Sequence, residues 1–266
     1  MKIVIIGAGK MGSWLTREFS LSHETGVYDT DKVKLDCFRG QAPFVFQNIA
    51  EIASFKPDYL INAVSLQKTV SVFQDISRYI PKECIICDLA TIKGEIIDYY
   101  KQSPFRFVSV HPMFGPTFAD MNVLREESAI IIKESDKNGV DFFREFFENL
   151  KIKIFEYSFE EHDRMMAYSL TLPFISSITF ASCVGKRVVP GTTFSKHMKI
   201  ANGLMSEDNH LLTEILFNPH SLDELDRITA KLEYLKHIIK GKDSEELENF
   251  FTKLRRNILQ EDGSCQ

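Results

Sequence analysis

A histidine held between rigid residues is the first candidate for chemistry in this sequence. His111 opens the hexapeptide His-Pro-Met-Phe-Gly-Pro at residues 111–116, directly after the apolar run of residues 105–110. Two prolines and a glycine exclude a helix and fix the backbone, so we expect the imidazole at the carboxyl end of a strand. An imidazole with an ordinary pKa of about 6.5 accepts a proton at neutral pH. The alternative interpretation is a histidine in an ordinary loop.

A glycine-rich stretch, Gly-Ala-Gly-Lys-Met-Gly at residues 7–12, is the second candidate. It follows a β-branched apolar run and precedes an amphipathic pattern, which is the strand–loop–helix context of a dinucleotide-binding fingerprint. The first glycine permits a tight turn, the second lets the backbone approach a pyrophosphate, and the third lets the helix pack on the strand. The start of the helix points its free N–H groups at the phosphates. The cofactor-binding residues expected here are Gly7, Gly9, Lys10, Met11 and Gly12.

An acidic residue follows the second predicted strand at the position where such folds contact the ribose. Asp29 ends the strand of residues 24–28. A carboxylate there accepts the ribose hydroxyls and repels a 2′-phosphate, so the sequence favours NAD over NADP. Thr30 and Lys32 weaken that preference, and Asp29 as a plain turn residue is the alternative. Two further cofactor contacts are expected after a later strand, at Val64 and Ser65.

The elements that must position these side chains alternate between strand and helix. Strand patterns occupy residues 2–6, 24–28, 57–64, 83–88, 105–110, 128–133 and 151–155, and helical patterns occupy residues 13–20, 69–79, 94–100 and 139–150. This alternation predicts an α/β fold with a doubly wound, mostly parallel, Rossmann-type sheet. The loops at the carboxyl ends of its strands then converge on one cleft.

The sequence pattern changes after residue 158. A long helical pattern begins at residues 160–163 and runs to residue 181, and nearly everything beyond it is helical. We therefore predict an NAD-binding domain at residues 1–158 and an all-helical domain at residues 159–266. Two apolar stripes in the tail exceed what a solitary surface helix requires, so we expect a homodimer through the helical domain, with burial within one chain alone as an equal alternative on the stripes themselves. Those stripes are Leu232, Leu235, Ile238 and Ile239, then Leu247, Phe250, Phe251, Leu254 and Ile258.

Composition narrows the class of protein. The formal net charge of −5 with both signs interspersed provides no basic surface for nucleic acid or an acidic membrane. We see no signal peptide and no apolar run of membrane-spanning length, so we expect a cytoplasmic protein. Five cysteines without a disulfide-like spacing suit a reducing compartment. Cys84 and Cys87 form a C-x-x-C on a predicted strand, where they point to opposite faces and read as core residues rather than metal ligands.

Several motifs together resemble the prephenate and arogenate dehydrogenases. They are the glycine loop, Asp-Leu-Ala-Thr-Ile-Lys at residues 88–93, the hexapeptide at 111–116, Glu-His-Asp at 161–163 and Leu-Pro at 172–173. The resemblance implies that His111 is the catalytic histidine and that Thr91 stands where the family usually has a serine. It implies oxidation of prephenate by NAD with loss of carbon dioxide, giving 4-hydroxyphenylpyruvate in tyrosine biosynthesis, with no metal. Thr91 as a helix N-cap is an additional role.

The substrate carries two carboxylates, so a cation is expected in the cleft. The family places an arginine there from the helical domain, whereas this chain has Lys196 and Lys199 near the matching segment. A lysine supplies a point charge without bidentate geometry, and a solvated surface role is the alternative. His162 is a further substrate-binding candidate or a structural cap. Phe174 replaces a family histidine, which puts polar contacts and feedback inhibition at that position in doubt.

Three other functions remain open at the level of sequence. Arogenate differs from prephenate by an amino group in place of the keto oxygen, and nothing in the sequence decides between them. β-Hydroxyacid dehydrogenases share the two-domain plan but use a lysine from the helical domain. A non-catalytic NAD-binding protein would keep the glycine loop without the chemistry.

Overall fold

The computed structural model describes residues 1–41, 43–115, 124–185 and 189–261. Within these residues an eight-stranded sheet has the order β3-β2-β1-β4-β5-β6-β7-β8. The strands are β1 (Lys2–Ile6), β2 (Glu24–Tyr28), β3 (Phe44–Val45), β4 (Tyr59–Asn62), β5 (Ile85–Asp88), β6 (Phe107–Pro112), β7 (Ser128–Ile132) and β8 (Lys153–Tyr157). All neighbouring strands pair in parallel except β6 and β7, which are antiparallel. The predicted doubly wound, mostly parallel sheet is confirmed.

Helices follow most of the strands and then continue alone. They are α1 (Lys10–Ser20), α2 (Lys32–Leu35), α3 (Ile52–Phe55), α4 (Leu66–Ile76), α5 (Gly94–Gln102), α6 (Lys137–Asn149), α7 (Phe159–Met166), α8 (Leu172–Ser182), α9 (Thr192–Met205), α10 (Asn209–Leu216), α11 (Ser221–Gly241) and α12 (Ser244–Glu261). The sequence patterns did not indicate α2, α3 or the two-residue β3. Elements of two to four residues are too short to show a hydrophobic period.

The sheet is buried on both faces, as its strand sequences require. One apolar cluster joins the strands to α1 and α6 through side chains such as Trp14, Phe19 and Phe143. The other cluster joins them to α4, α5 and α7 through side chains such as Phe73, Ile96 and Phe159. Cys87 belongs to the first cluster and Cys84 to the second, so the two thiols lie on opposite faces of the sheet as predicted.

The long predicted helix after residue 158 is present but interrupted. α7 ends at Met166, a π-helical turn spans Ala167–Thr171, and α8 follows. Pro173, in the first turn of α8, has no N–H to donate one turn back, which accounts for the widened turn. The sequence pattern therefore predicts one continuous helix, whereas the structure has a π-helical turn between two α-helices.

The hydropathy of this helical segment contradicts one prediction made from the sequence. Among the described residues, the helix Phe159–Ser182 reaches a mean hydropathy of 1.2 over an 18-residue window, which is long and apolar enough to cross a membrane. The prediction that no run approaches that length is therefore wrong by length and composition. Core helices of soluble proteins can be equally long and apolar, so the hydropathy of this helix is weak evidence for a membrane.

The chain forms two compact units, residues 1–219 and residues 220–266. Helices α7 to α10 thus belong to the same unit as the sheet, while the boundary at residue 158 remains a prediction from sequence. Within the second unit, α12 begins with a side-chain cap, because the Asp243 carboxylate accepts the Glu246 N–H at 3.0 Å. Tyr234 of α11 packs on Phe250 of α12 with 5.4 Å between ring centroids.

Candidate active site

The glycine loop has the geometry that its sequence predicts. Gly7 has a φ of +98°, and a Cβ there would lie 2.8 Å from the Ala63 carbonyl oxygen. A Cβ on Gly12 would lie 1.9 Å from the Gly7 oxygen, so only glycine lets α1 approach the turn this closely. A Cβ on Gly9 would meet nothing within 4 Å among the residues that the structure describes. The space beside Gly9 is therefore open to a ligand, as a pyrophosphate site requires.

The acidic residue predicted to contact the ribose lies beside this loop. The Asp29 carboxylate accepts the Ala8 N–H at 2.7 Å and the Asp31 N–H at 2.8 Å. It lines a cavity of about 350 Å³ together with Gly7, Thr30 and Val64. Lys32 also lies here, since its ammonium donates to the Gln47 carbonyl at 2.7 Å and to the Asp29 carbonyl at 3.4 Å. The carboxylate, the open turn and the start of α1 fit a dinucleotide.

The remaining cofactor candidates surround the same turn. Lys10 and Met11 are the first two residues of α1, whose N-cap residue, Gly9, has no side chain to cap the helix. Ser65 is the exposed N-cap residue of α4, just after β4. The next turn is held by α10, because the Glu214 carboxylate accepts the Gln67 N–H at 3.2 Å. The structure therefore brings these candidates to the carboxyl edge of the sheet.

His111 lies within β6 rather than after it. The strand runs two residues further than the apolar pattern, because β7 pairs with it antiparallel and sets His111 opposite Ile130. His111 is 6% exposed and opens into a second cavity of about 680 Å³. That cavity is lined by Thr91, His111, Pro112, Met113, Phe114, Gly115, Leu170, Phe174, Lys199, Ile200, Gly203, Leu204, Glu207, Leu211 and Ile215. Pro116, the last residue of the hexapeptide, lies outside the described residues.

A buried ion pair fixes the backbone next to His111. The Lys93 ammonium donates to Asp88 Oδ2 at 2.8 Å and to the Val110 carbonyl at 2.9 Å, and both charged side chains are fully buried. Tyr100 donates its hydroxyl to Asp88 Oδ1 at 2.7 Å. These bonds tie the end of β5 to the residue that precedes His111. A buried pair satisfied in this way fixes geometry more than it adds stability.

His111 is also bonded to a second histidine. Its Nδ1 lies 3.0 Å from His162 Nε2, and His162 Nδ1 lies 2.9 Å from Asp163 Oδ1. The Asp163 carboxylate in turn accepts the backbone N–H groups of Lys93 at 2.9 Å and Gly94 at 3.2 Å. Asp163 therefore caps the start of α5, the role that the sequence had suggested for Thr91.

The start of α7 determines which residues reach His111. Ser158 and Glu161 form a capping box, with the Ser158 hydroxyl accepting the Glu161 N–H at 3.2 Å and the Glu161 carboxylate accepting the Ser158 N–H at 2.7 Å. This cap fixes the first helical residue and hence the face of α7 that turns toward the sheet. His162 and Asp163 lie on that face and are buried.

Burial sets the protonation state of His111. Desolvation lowers the pKa of His111 well below 6.5, and the nearby His162 and the Lys93 ammonium lower it further. Desolvation also lowers the pKa of His162, although the hydrogen bond to Asp163 opposes that shift. Both imidazoles are therefore neutral at pH 7, so His111 is an acceptor at neutral pH.

The substrate-binding candidates have different outcomes. Lys199 lines the cavity with His111, as does Phe174, which presents a ring where the resemblance implies a histidine. Lys196 is exposed on α9, outside the residues that the described chain places around this cavity. His162 is fully buried with both ring nitrogens occupied, so the structure does not support a direct substrate contact for it.

The sequence did not predict roles for four polar residues of the site. Asp88 and Lys93 belong to the motif at residues 88–93, and the signal was a charged pair at the end of an apolar strand. Asp163 adjoins His162, and its carboxylate acts on residues 69 and 70 positions away, which no local pattern shows. Glu207, a second charged residue on the cavity, carried no motif at all.

Comparison with known proteins agrees with this geometry. The family model of the prephenate dehydrogenase nucleotide-binding domain matches residues 16–156, more than half of the chain. A probable arogenate/prephenate dehydrogenase of Methanocaldococcus jannaschii is 22% identical over 98% of this chain. The chain spans 60% of the length of that relative.

Two solved structures share the fold over nearly the whole chain. Prephenate dehydrogenase from Aquifex aeolicus, solved with hydroxyphenyl propionate and NAD+, superposes with a TM-score of 0.84 at 17% identity, covering 98% of both chains. Synechocystis arogenate dehydrogenase has a TM-score of 0.75 at 17% identity, covering 98% of this chain and 99% of its own. The family match shows that the chain belongs to the prephenate dehydrogenase family, a family of NAD-dependent oxidoreductases, and the two solved structures show the shared fold.

Proposed function

We propose that this chain oxidises prephenate with NAD and releases carbon dioxide, forming 4-hydroxyphenylpyruvate. The observation that carries the proposal is a buried, neutral imidazole, His111, on a cavity that also contains the Thr91 hydroxyl and the Lys199 ammonium. Oxidation of a ring alcohol needs an acceptor for the hydroxyl proton, and a neutral histidine supplies one. Family membership supports the same reaction class.

NAD would be held by the glycine loop and Asp29. The open space at Gly9 and the uncapped start of α1 suit a pyrophosphate, while Asp29 suits the ribose hydroxyls. Bound there, NAD supplies the hydride acceptor. The chain itself contributes the orientation of both ligands and the removal of the proton.

His111 would accept the proton of the ring hydroxyl as negative charge develops on its oxygen. Thr91 lines the same cavity and can hold that hydroxyl in place. These contacts strengthen as the carbon–oxygen bond gains carbonyl character, so they favour the transition state over the bound substrate. Loss of carbon dioxide then makes the ring aromatic and prevents reversal.

Lys199 would pair with a substrate carboxylate. The apolar lining formed by Met113, Phe174 and Leu204 suits the ring and lowers the local dielectric. In such surroundings a single ammonium attracts a carboxylate more strongly than it would in water. Lys199 is exposed without substrate, so its side chain is accessible to a ligand that enters the cavity.

Arogenate is the second candidate, and one charged residue favours it. Glu207 lines the same cavity as Lys199, so the cavity offers one negative and one positive side chain. The side chain of arogenate carries an ammonium beside its carboxylate, whereas prephenate has a keto group there. A carboxylate in the cavity attracts the ammonium and disfavours the keto acid.

Assembly and surroundings form part of the proposal. We infer a homodimer in which a second copy covers the helical domain, supported by α8, which is apolar yet has no buried residue, and by the exposed Phe251 and Ile258 of α12. The same contact would explain the membrane-like hydropathy of the helical segment that contains α8 in a cytoplasmic protein. Its first half is bonded to the sheet through His162 and Asp163, which supports a soluble placement. The net charge gives no reason to expect nucleic acid.

One assay tests the function and its alternative together. NADH formation is followed at 340 nm with the purified chain and either prephenate or arogenate. Our proposal expects a higher kcat/KM with prephenate, and a higher kcat/KM with arogenate would overturn it. Glu207→Gln then identifies the cause: if the glutamate selects arogenate, this variant loses about tenfold on arogenate, equivalent to about 1.4 kcal/mol, and little on prephenate. No NADH with either substrate would contradict both candidates.

A further inference from the structure

The second histidine and the aspartate behind His111 have an arrangement that fixes where its proton lies. We propose that Asp163 and His162 are positioning residues that hold neutral His111 in the tautomer with the proton on Nδ1, so that Nε2 faces the cavity as an acceptor. The kinetic part of this inference rests on the proposed function. The tautomer itself is a property of the chain without substrate.

The chain of hydrogen bonds ends at Asp163, whose carboxylate can only accept. Two backbone N–H groups, of Lys93 and Gly94, donate to it at 2.9 and 3.2 Å. The Asp163 carbonyl is also occupied, by the Asn218 amide at 2.8 Å. A carboxylate that accepts two amide N–H groups at a helix start is fixed in orientation. Asp163 is thus the defined end of the hydrogen-bond chain.

The hydrogen bond to Asp163 determines which ring nitrogen of His162 carries the proton. Its Nδ1 lies 2.9 Å from Asp163 Oδ1, and a carboxylate oxygen there requires the ring nitrogen to carry the proton. In a neutral imidazole the other nitrogen, Nε2, then has only a lone pair. That nitrogen lies 3.0 Å from Nδ1 of His111, so it must accept and His111 Nδ1 must donate.

His111 is left with a bare Nε2. The alternative is a doubly protonated His162, whose Nε2 would donate and force the proton of His111 onto the catalytic nitrogen. Burial of His162 and the adjacent Lys93 ammonium oppose that charge, while Asp163 and Asp88 favour it. The backbone amides that bind Asp163 reduce its pull on a second proton. Every bond in the chain is therefore satisfied with both rings neutral.

Asp163→Asn reverses this direction and is the sharpest test. The asparagine oxygen can still accept from Lys93, but its NH₂ group would donate to His162 Nδ1. His162 Nε2 would then carry the proton and donate to His111, whose Nε2 would become N–H. We expect kcat to fall by about a hundredfold to ten-thousandfold, the range seen when a catalytic histidine is held in the wrong tautomer, with KM and NAD affinity nearly unchanged.

A spectroscopic measurement on the full chain without substrate separates this from a structural role. Long-range ¹H–¹⁵N correlations of the histidine rings distinguish the two tautomers, and the His111 signals are identified by their loss in His111→Asn. We expect the Nδ1–H form in the wild type and the Nε2–H form in Asp163→Asn. A wild-type His111 with its proton on Nε2 overturns the proposal without any variant.

Controls keep the outcomes distinct. Glu160→Gln removes an exposed carboxylate from the same helix and should change neither kcat nor the tautomer. If Asp163→Asn fails to fold in a urea titration, His162→Gln breaks the same chain and should leave His111 as a mixture of tautomers. A folded Asp163→Asn variant with the wild-type tautomer and wild-type kcat contradicts the proposal. A correct tautomer in a protein without activity on either substrate would refute the proposed function alone.

Discussion

At the scale of single residues, the site depends on keeping one imidazole neutral. His111 is almost fully buried beside a buried ammonium, so a second positive charge there is unfavourable. The roles of the loop glycines and of His111 could be predicted from sequence because they depend on local features, namely a tight turn and a rigid strand end. The partner of His111 could not be assigned, because His162 lies 51 positions away and meets it only after folding.

The lowered pKa of His111 predicts how activity depends on pH. In kcat/KM, the acid limb reports the free enzyme's base, so we expect it below pH 6.5 and activity to persist into weakly acidic solution. Unfolded histidine binds its proton near pH 6.5 while folded His111 does not. The free energy of unfolding therefore decreases as pH falls from 6.5 toward the folded pKa. An acid limb at or above pH 6.5 would show that burial does not control this group.

At the scale of elements, the strands of the sheet place the site residues at its carboxyl edge, and the helices fix the orientation of their side chains. Alternating apolar runs were enough to predict the parallel order and the convergence of loops, because both follow from the crossover rule. The antiparallel pairing of β6 with β7 was not predictable, since it depends on how β7 returns to the sheet. That pairing is what extends β6 through His111 and Pro112.

Alanine substitutions at two glycines of the nucleotide loop should have different effects on folding and on NAD binding. Gly12→Ala places a Cβ against the Gly7 oxygen, so we expect both a lower free energy of unfolding and weak NAD binding. Gly9→Ala meets nothing in the chain, so the free energy of unfolding should hold while the Kd for NAD rises by about tenfold or more. Urea titration and calorimetric NAD binding measure the two effects.

A matched alanine substitution in another helix controls that comparison. Gly241, at the end of α11, also has no atom within 4 Å of an added Cβ. Gly241→Ala should leave NAD affinity unchanged. If Gly9→Ala binds NAD as tightly as Gly241→Ala, the pyrophosphate does not approach the loop at Gly9.

At the scale of the whole molecule, family membership and fold agree, while assembly remains our proposal. The fold class followed from the sequence because short apolar, β-branched runs alternate with amphipathic helical patterns along the first half of the chain. The helical half gave only amphipathic stripes, which do not say what covers them. In the chain, Phe251 and Ile258 of those stripes remain 41% and 67% exposed.

The homodimer predicts a measurable mass. Light scattering of the 30.6 kDa chain should give twice that mass at micromolar concentration. Ile258→Asp places a charge in the exposed apolar stripe and should shift the mass toward the monomer, because a buried unpaired charge is costly. Arg255→Asp, in the same helix but outside that stripe, serves as the control. A monomeric wild type would contradict the proposed assembly.

The most direct test of the central claim replaces the imidazole itself. His111→Asn keeps a polar side chain of similar size but removes the proton acceptor, so we expect kcat with prephenate to fall by about a hundredfold to ten-thousandfold. Calorimetry should show the same NAD affinity as the wild type, and His237→Asn, an exposed histidine of α11, should retain full activity. A His111→Asn variant that turns over prephenate at the wild-type rate would contradict the account.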